Sequence, residues 1–311
     1  MKQTVIFGSL AYDEFLYTNA DIVDEIGKDA KHALTILPLQ KIERRFGGNG
    51  GNIALGMALL KERPALFSAL GYDGDRYLDR LREKELCLSG IEIFDDIPSM
   101  TVYFIIDQFR KEVALFINEA SKRRSFQADV LPEDIGLMHV GPCSPLLAKQ
   151  ALQHASINGI ASIFDPGQDV YGFDVEDLEE CMQRSSYTIL NAQESAFVSS
   201  KISKDMAHRT FRIITRGKEG VSLEYRADIE LVAACPLANA PDQTVGAGDA
   251  FRAGLLTGLS REEELHDAVC LGCGMASLTL ASGKAQMDSL NIELLQSLLL
   301  QAYGKTCDSI V

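Results

Sequence analysis

Short apolar runs alternate with helical stretches along most of this chain, and the alternation breaks in one place. An opening run at 4–8 ends in a glycine turn, and a further run lies at 65–70. Beyond about residue 131, strand-like runs at 138–140, 161–164, 187–190 and 212–215 are separated by helical segments such as 146–154 and 175–183. Strands that alternate with helices pair in parallel and need cover on both faces. The break follows an amphipathic helix at about 75–84. There, runs at 91–94, 101–106 and 113–117 have short turns and no helix between them, which predicts an antiparallel patch. Two more strands are expected at 221–225 and 230–234, and then helices at 249–259, 262–280 and 291–302. The pattern specifies one α/β domain over 1–311, a mostly parallel central sheet flanked by helices. A small β-sheet lid is drawn from about 11–45 and 91–125.

In open α/β sheets, ligands sit at the carboxyl ends of strands. Asp13, Asp165, Asn191 and Thr215-Arg216-Gly217 fall there. The loop Gln243-Thr244-Val245-Gly246-Ala247-Gly248-Asp249 carries the sharpest chemistry. Small residues precede a carboxylate, and an apolar segment at helical spacing follows (Phe251, Leu255, Leu256). Such a loop aims unpaired backbone N–H groups and the positive end of a helix dipole at one point, which suits an anion. Asp249 is then a base beside a phosphate cradle, the arrangement for phosphoryl transfer to an alcohol. Taken alone, the tetrapeptide reads more plainly as a tight turn with an Asp cap. A second glycine cluster changes the balance. Gly47-Gly48-Asn49-Gly50-Gly51-Asn52 reads as a glycine loop before a helix at about 52–60. It brings backbone and amides up to a neutral polar ligand, and Asp13 can accept from two sugar hydroxyls.

Other functions are disfavoured. The formal net charge of −14 leaves no basic footprint for nucleic acid or an anionic membrane surface. No uncharged apolar run reaches the ~18 residues of a membrane helix, and the N-terminal run meets Asp13 and Glu14 too soon for a signal peptide. Seven scattered cysteines read as reduced thiols and a cytoplasmic location, with Cys270 and Cys273 as core residues and not a zinc pair. Gly304-Lys305-Thr306 lacks the upstream glycine of a P-loop, and strand one ends in a single Gly8, which excludes a dinucleotide-binding start.

In order and spacing, several segments together resemble the ribokinase-like (PfkB) family of sugar and nucleoside kinases. They are Gly8-Ser9-x-x-x-Asp13, Phe46-Gly47-Gly48-x-x-x-Asn52, Phe164-Asp165-Pro166-Gly167-Gln168, Asn191-x-x-Glu194, Thr215-Arg216-Gly217-x-x-Gly220 and Gly246-Ala247-Gly248-Asp249-Ala250-Phe251. The wording is most similar to bacterial adenosine kinases. The resemblance implies that Asp249 is the base and that the N–H groups of Gly246, Ala247 and Gly248 stabilise the transferred phosphoryl. It implies that Asp13, Gly47, Gly48 and Asn52 hold ribose hydroxyls, with Phe104 and Phe116 stacking on a base and Gln168 contacting it. Packing within the lid is an equal reading for the two phenylalanines. Thr215, Arg216, Gly217 and Gly220 would line the phosphates of ATP, with Arg216 or Lys218 as counter-charge. Asn191 and Glu194 would hold Mg2+, largely through water.

The chain departs from the family pattern in two places. Gln243 stands where relatives carry an acidic residue that helps hold a monovalent cation, which counts against potassium (K+) as an activator. Lys284 replaces a glycine in a stretch that borders the adenine of ATP in relatives. The leading expectation is an ATP-dependent adenosine kinase. The alternatives are a kinase of free ribose or a ketohexose, and a non-catalytic binder with the same fold. An exposed lid edge offers pairing with a second copy.

Overall fold

A computed structural model of the chain describes residues 2–22, 24–25, 37–109, 112–117, 119–236 and 245–306. Nine strands form a large sheet in the order β13-β12-β11-β10-β9-β8-β1-β4-β5. These are β1 Gln3–Phe7, β4 Ala65–Gly71, β5 Ile91–Phe94, β8 Ile135–Val140, β9 Ala161–Phe164, β10 Tyr187–Asn191, β11 Arg212–Thr215, β12 Val221–Tyr225 and β13 Asp228–Val232. Pairing is parallel from β5 to β11 and antiparallel from β11 to β13. β4 is buried along its whole length, as a parallel strand covered on both faces must be.

Alternation along β1 sends side chains to two cores. Ile6 joins a cluster with Ile53, Leu255 and Leu271 beneath the helices Asn49–Leu59, Ala247–Ser260 and Leu265–Ser282. Val5 and Phe7 join Leu147, Leu152 and Leu178 beneath Pro145–Ile157 and Val175–Arg184 on the opposite face. Leu265–Ser282 is long and apolar enough, by length and composition, to cross a membrane, which the sequence reading did not credit. Here it is a core helix. A Cβ on Gly254 would lie 2.7 Å from Gly272, so the two glycines let this helix and Ala247–Ser260 approach backbone to backbone. Cys270 and Cys273 are buried in the same core.

A second sheet runs β3-β2-β6-β7, from Leu39–Gly47, Ala11–Thr18, Met100–Ile106 and Glu112–Ile117. β2 and β6 pair in parallel with Asp13 opposite Val102, and the outer pairs are antiparallel. One expectation is corrected. Ile91–Phe94 does not belong to this lid but pairs in parallel with β4 at the edge of the large sheet. The helix Asp75–Glu83 between the two strands makes an ordinary βαβ crossover, which the antiparallel reading overlooked.

Candidate active site

The ends of the parallel strands meet in one crevice. β1 has β4 on one side and β8 on the other, so the strand order reverses there and opens the sheet edge to a ligand. Asp165, Asn191 and Thr215 follow or end β9, β10 and β11 along the same rim.

Gly246 caps the helix Ala247–Ser260 with φ +85°. Only glycine fits, because a Cβ would overlap the backbone of Ala285. No side chain among the described residues caps this helix, and its first bond runs from Ala250 N to Gly246 O at 2.9 Å. The N–H groups ahead of it open into the crevice, with the positive end of the helix dipole behind them. Asp249 sits half-buried in this first turn and accepts a hydrogen bond from Asn52 Nδ2 at 2.7 Å. Burial raises its carboxyl above the ordinary range, while Asn52 and Arg252 pull it back down.

Asp13 extends from the lid strand β2 and lines a cavity of about 600 Å3 with Phe15, Arg45, Arg80 and Val245. It packs on Gly47, where a Cβ would overlap the carboxylate. Burial, and then the charge of Asp249, push the Asp13 carboxyl up to about 7 against the opposing pull of Arg45. The lid carboxylate and the carboxylate of the glycine loop therefore feel each other's charge.

Two cavities meet at the loop. One, about 650 Å3, is lined by Asn49, Val102, Gln168, Asn191, Asp249 and Arg252, among others. The other, about 540 Å3 and more apolar, is lined by Gly217, Val221, Pro236, Phe251, Ala276 and Leu280, with Lys218 on its wall. Thr215 and Gly248 belong to both. Gly217 and Gly220 take positive φ, and a Cβ on Gly220 would overlap the Val232 carbonyl.

Asn191 and Glu194 form a capping box at the start of Ala192–Lys201. Asn191 Oδ1 accepts from Glu194 N at 2.9 Å, and Glu194 Oε2 accepts from Asn191 N at 2.8 Å. Burial raises the Glu194 carboxyl. The Asn-x-x-Glu signal thus has a structural basis as well as a place on the cavity wall. Among the described residues, no group of three or more His, Cys, Asp or Glu could hold a metal ion.

Several expected positions have partners within the protein or lie outside the described residues. Arg216 turns back to the sheet, donating to Ser222 Oγ at 3.1 Å and Glu224 Oε1 at 3.3 Å. Phe104 stacks on Phe15 with ring centroids 5.0 Å apart, a contact within the lid. Phe116 pairs with Val102 through its backbone, and its side chain lies outside the described residues, as does Gln243. Asn52 is committed to Asp249 and Gln286, not left open toward the cavity. Lys284 is exposed and pairs with Asp288.

The sequence reading missed four groups. Arg252 forms a two-pronged pair with Asp165, Nη2 to Oδ1 at 2.6 Å, and donates to the Gly248 carbonyl at 3.0 Å. His139 Nε2 is 2.9 Å from Asp165, which is fully buried. The Arg252 guanidinium holds the Asp165 carboxyl well below the usual carboxylate range. Gln286 and Tyr77 close the far side of Asn52. Only Arg252 left a trace in the sequence, three residues after Asp249 on one helix face.

The profile of the pfkB family carbohydrate kinases matches residues 10–291. A nucleoside kinase of Thermoplasma acidophilum is 26% identical over 293 residues, covering 92% of this chain and 94% of its own. A fructokinase of Salmonella typhimurium is 27% identical over 261 residues, covering 76% of this chain and 82% of its own. Among solved structures, Burkholderia thailandensis nucleoside kinase in complex with inosine superposes with a TM-score of 0.85 at 28% identity, covering 97% of this chain and 99% of that one.

Proposed function

The chain belongs to the pfkB family of carbohydrate kinases, and from that premise we propose that it transfers the γ-phosphoryl of ATP to the 5′-hydroxyl of a nucleoside, adenosine first. The observation that carries this reading is the meeting of two cavities at Thr215 and Gly248, with Asp249 on the wall of one of them. A donor in the apolar cavity and an acceptor in the other would be joined across the open helix start.

In this reading Asp249 takes the proton of the acceptor hydroxyl as the new O–P bond forms and the bond from the γ-phosphorus to the bridging oxygen breaks, releasing ADP, while the N–H groups of Gly246, Ala247 and Gly248 hold the phosphoryl oxygens. Asp13 accepts from ribose hydroxyls in its ionised form, beside the close backbone of Gly47 and Gly48. Asn52 fixes the base instead of gripping the sugar. Gln168 and the Met100 and Val102 side of the lid border the space beyond the ribose. Thr215, Gly217 and Gly220 line the nucleotide. Lys218, on the wall of the donor cavity, takes the counter-charge role that Arg216 is turned away from. Mg2+ would neutralise phosphate charge when bound. Glu194 and Asn191 would hold it, largely through water, as suits this ion. The lid excludes water from the transfer.

Nucleoside kinases among the relatives, and the bound inosine of the Burkholderia thailandensis protein, favour a nucleoside over a free sugar. The Salmonella typhimurium fructokinase keeps the sugar reading alive. A coupled ADP-release assay on adenosine, inosine, cytidine, ribose and fructose, with and without K+, tests the proposal. Turnover of fructose or ribose with none of any nucleoside would overturn it. Gln243 leads us to expect little response to K+. The same reading expects a cytoplasmic enzyme whose copies pair through the outer lid face, where Ile42, Leu115 and Ile117 are exposed.

A further inference from the structure

We propose that Gln286 is a positioning residue for Asp249, acting through Asn52 in a relay whose donor direction is dictated from Arg80. The inference rests on the reading of Asp249 as the base. Arg80 Nε donates to Gln286 Oε1 at 2.8 Å. Gln286 Nε2 donates to Asn52 Oδ1 at 2.9 Å and to Tyr77 Oη at 2.8 Å. Tyr77 donates to the Gly47 carbonyl at 2.6 Å, and Asn52 Nδ2 donates to Asp249 Oδ2 at 2.7 Å.

The polarity of this chain follows from its ends. A guanidinium only donates, so the Gln286 oxygen must face Arg80. A carbonyl only accepts, so the Tyr77 proton is committed to Gly47 and its oxygen faces Gln286. Gln286 is thereby fixed from both sides and must offer its NH2 to Asn52. Asn52 in turn must present oxygen to Gln286 and NH2 to Asp249. Neither amide can flip without leaving two like groups face to face in a buried place, where Gln286 is 8% and Asn52 7% exposed. Four segments distant in the chain are involved: the helix Asp75–Glu83, the helix Asn49–Leu59, the loop after Leu265–Ser282 and the catalytic turn.

The consequence falls on the base. Asp249 Oδ2 is occupied, which leaves Oδ1 for the acceptor hydroxyl and holds the carboxylate in one rotamer. A donor at Oδ2 also favours the ionised form over the neutral one. The other charged or titratable groups that act on Asp249 are Asp165, His139 and Arg252, and from the lid Asp13.

The test is Gln286→Glu, which keeps the shape and the Arg80 contact but cannot donate to Asn52. Asn52 then turns its oxygen toward Asp249. The expected result is a drop in kcat of about 10-fold at neutral pH, with the acid limb of the kcat profile moved up by about one pH unit. The KM for ATP should stay unchanged. Gln286→Leu, which frees Asn52 to flip, should move the limb in the same direction by less and covers the case in which the glutamate variant does not fold. A folded variant of either kind with kcat and acid limb both unmoved overturns the relay. Asp249→Asn separates the two ideas: if that variant keeps turnover, it is the base assignment that fails.

Discussion

Among the described residues, two α-helices start from a capping glycine of positive φ, and their starts serve opposite ends. Gly48 caps Asn49–Leu59 at φ +84° and Gly246 caps Ala247–Ser260 at φ +85°. At the first, every early N–H has a partner. Asn49 N donates to Ser9 Oγ at 3.2 Å, Gly50 N to Asn49 Oδ1 at 2.7 Å, and Gly51 N to Ser9 O at 3.2 Å. Its glycines exist for close packing. A Cβ on Gly50 would meet the Gly8 backbone at 2.7 Å, and one on Gly51 would overlap the Tyr77 hydroxyl. The second start has no side-chain cap among the described residues and opens on the meeting point of two cavities. What separates an open helix start from a packing device is therefore whether another part of the chain already supplies the acceptors, and that part, Ser9, lies 40 residues away from its helix.

The contrast can be broken most sharply at the open start. Asp249→Asn should lower kcat by about 10³-fold while nucleoside binding, measured by calorimetry, stays within a few-fold. Near-parental turnover would remove Asp249 from the reaction. Gly248→Val should cost about 10²-fold in kcat by filling the place of the phosphoryl oxygens, with little change in melting temperature. At the closed start the same kind of change should do the reverse. Gly50→Ala should lose about 1–3 kcal/mol of stability in denaturant titration, because backbone must move, while the folded fraction keeps its kcat. A Gly50→Ala enzyme that is stable but inactive would show that the two starts are not different in kind.

Asp13 lies between these cases. Folding raises its carboxyl from the ordinary value of about 3.9 to about 7. The acceptor KM should then improve as pH rises through 7, where Asp13 becomes the ionised acceptor of hydroxyl bonds. Stability runs the other way. The folded state holds the extra proton, so the penalty of the ionised group is absent below about pH 4, grows between 4 and 7, and is complete above 7. Asp13→Asn should raise the acceptor KM and also raise the melting temperature at pH 8, with little gain at pH 4. A loss of stability at pH 8 would contradict the burial argument. The smallest effect is expected from Ser9→Ala, about 1 kcal/mol of stability and less than a twofold change in kcat.

The sequence made the parallel sheet and its rim legible because apolar runs and glycine turns are local signals. Asp165, Asn191 and Thr215 could be placed from strand ends and Asp249 from its glycine loop, whereas Asp13, expected just after strand one, sits inside the lid strand β2. The groups it hid act over long distances. Asp165 meets Arg252 across 87 residues and Gln286 meets Asn52 across 234. No local pattern predicts which amide faces which. The counter-charge was left open between Arg216 and Lys218 because a sequence does not show which way each side chain at a strand end points. Thr215 faces the cavities, and Arg216 faces Glu224. The glycine cluster at 47–51 looked like an open loop because packing against Gly8 and Tyr77 cannot be seen from composition. The helix in fact begins at Asn49 and takes Gly50 and Gly51 into its first turn.

The lid sheet is threaded from two stretches of chain, and β2 and β6 lie side by side in parallel. Four strand ends tie it to the body, just before Ala11, at Gly47–Gly48, just before Met100 and after Ile117. A board suspended at four points tilts as a unit and does not peel from one edge. Its anchor at Gly48 is the N-terminal cap of the helix that carries Asn52. A tilt of the board would therefore reach, through that helix, the amide that donates to Asp249.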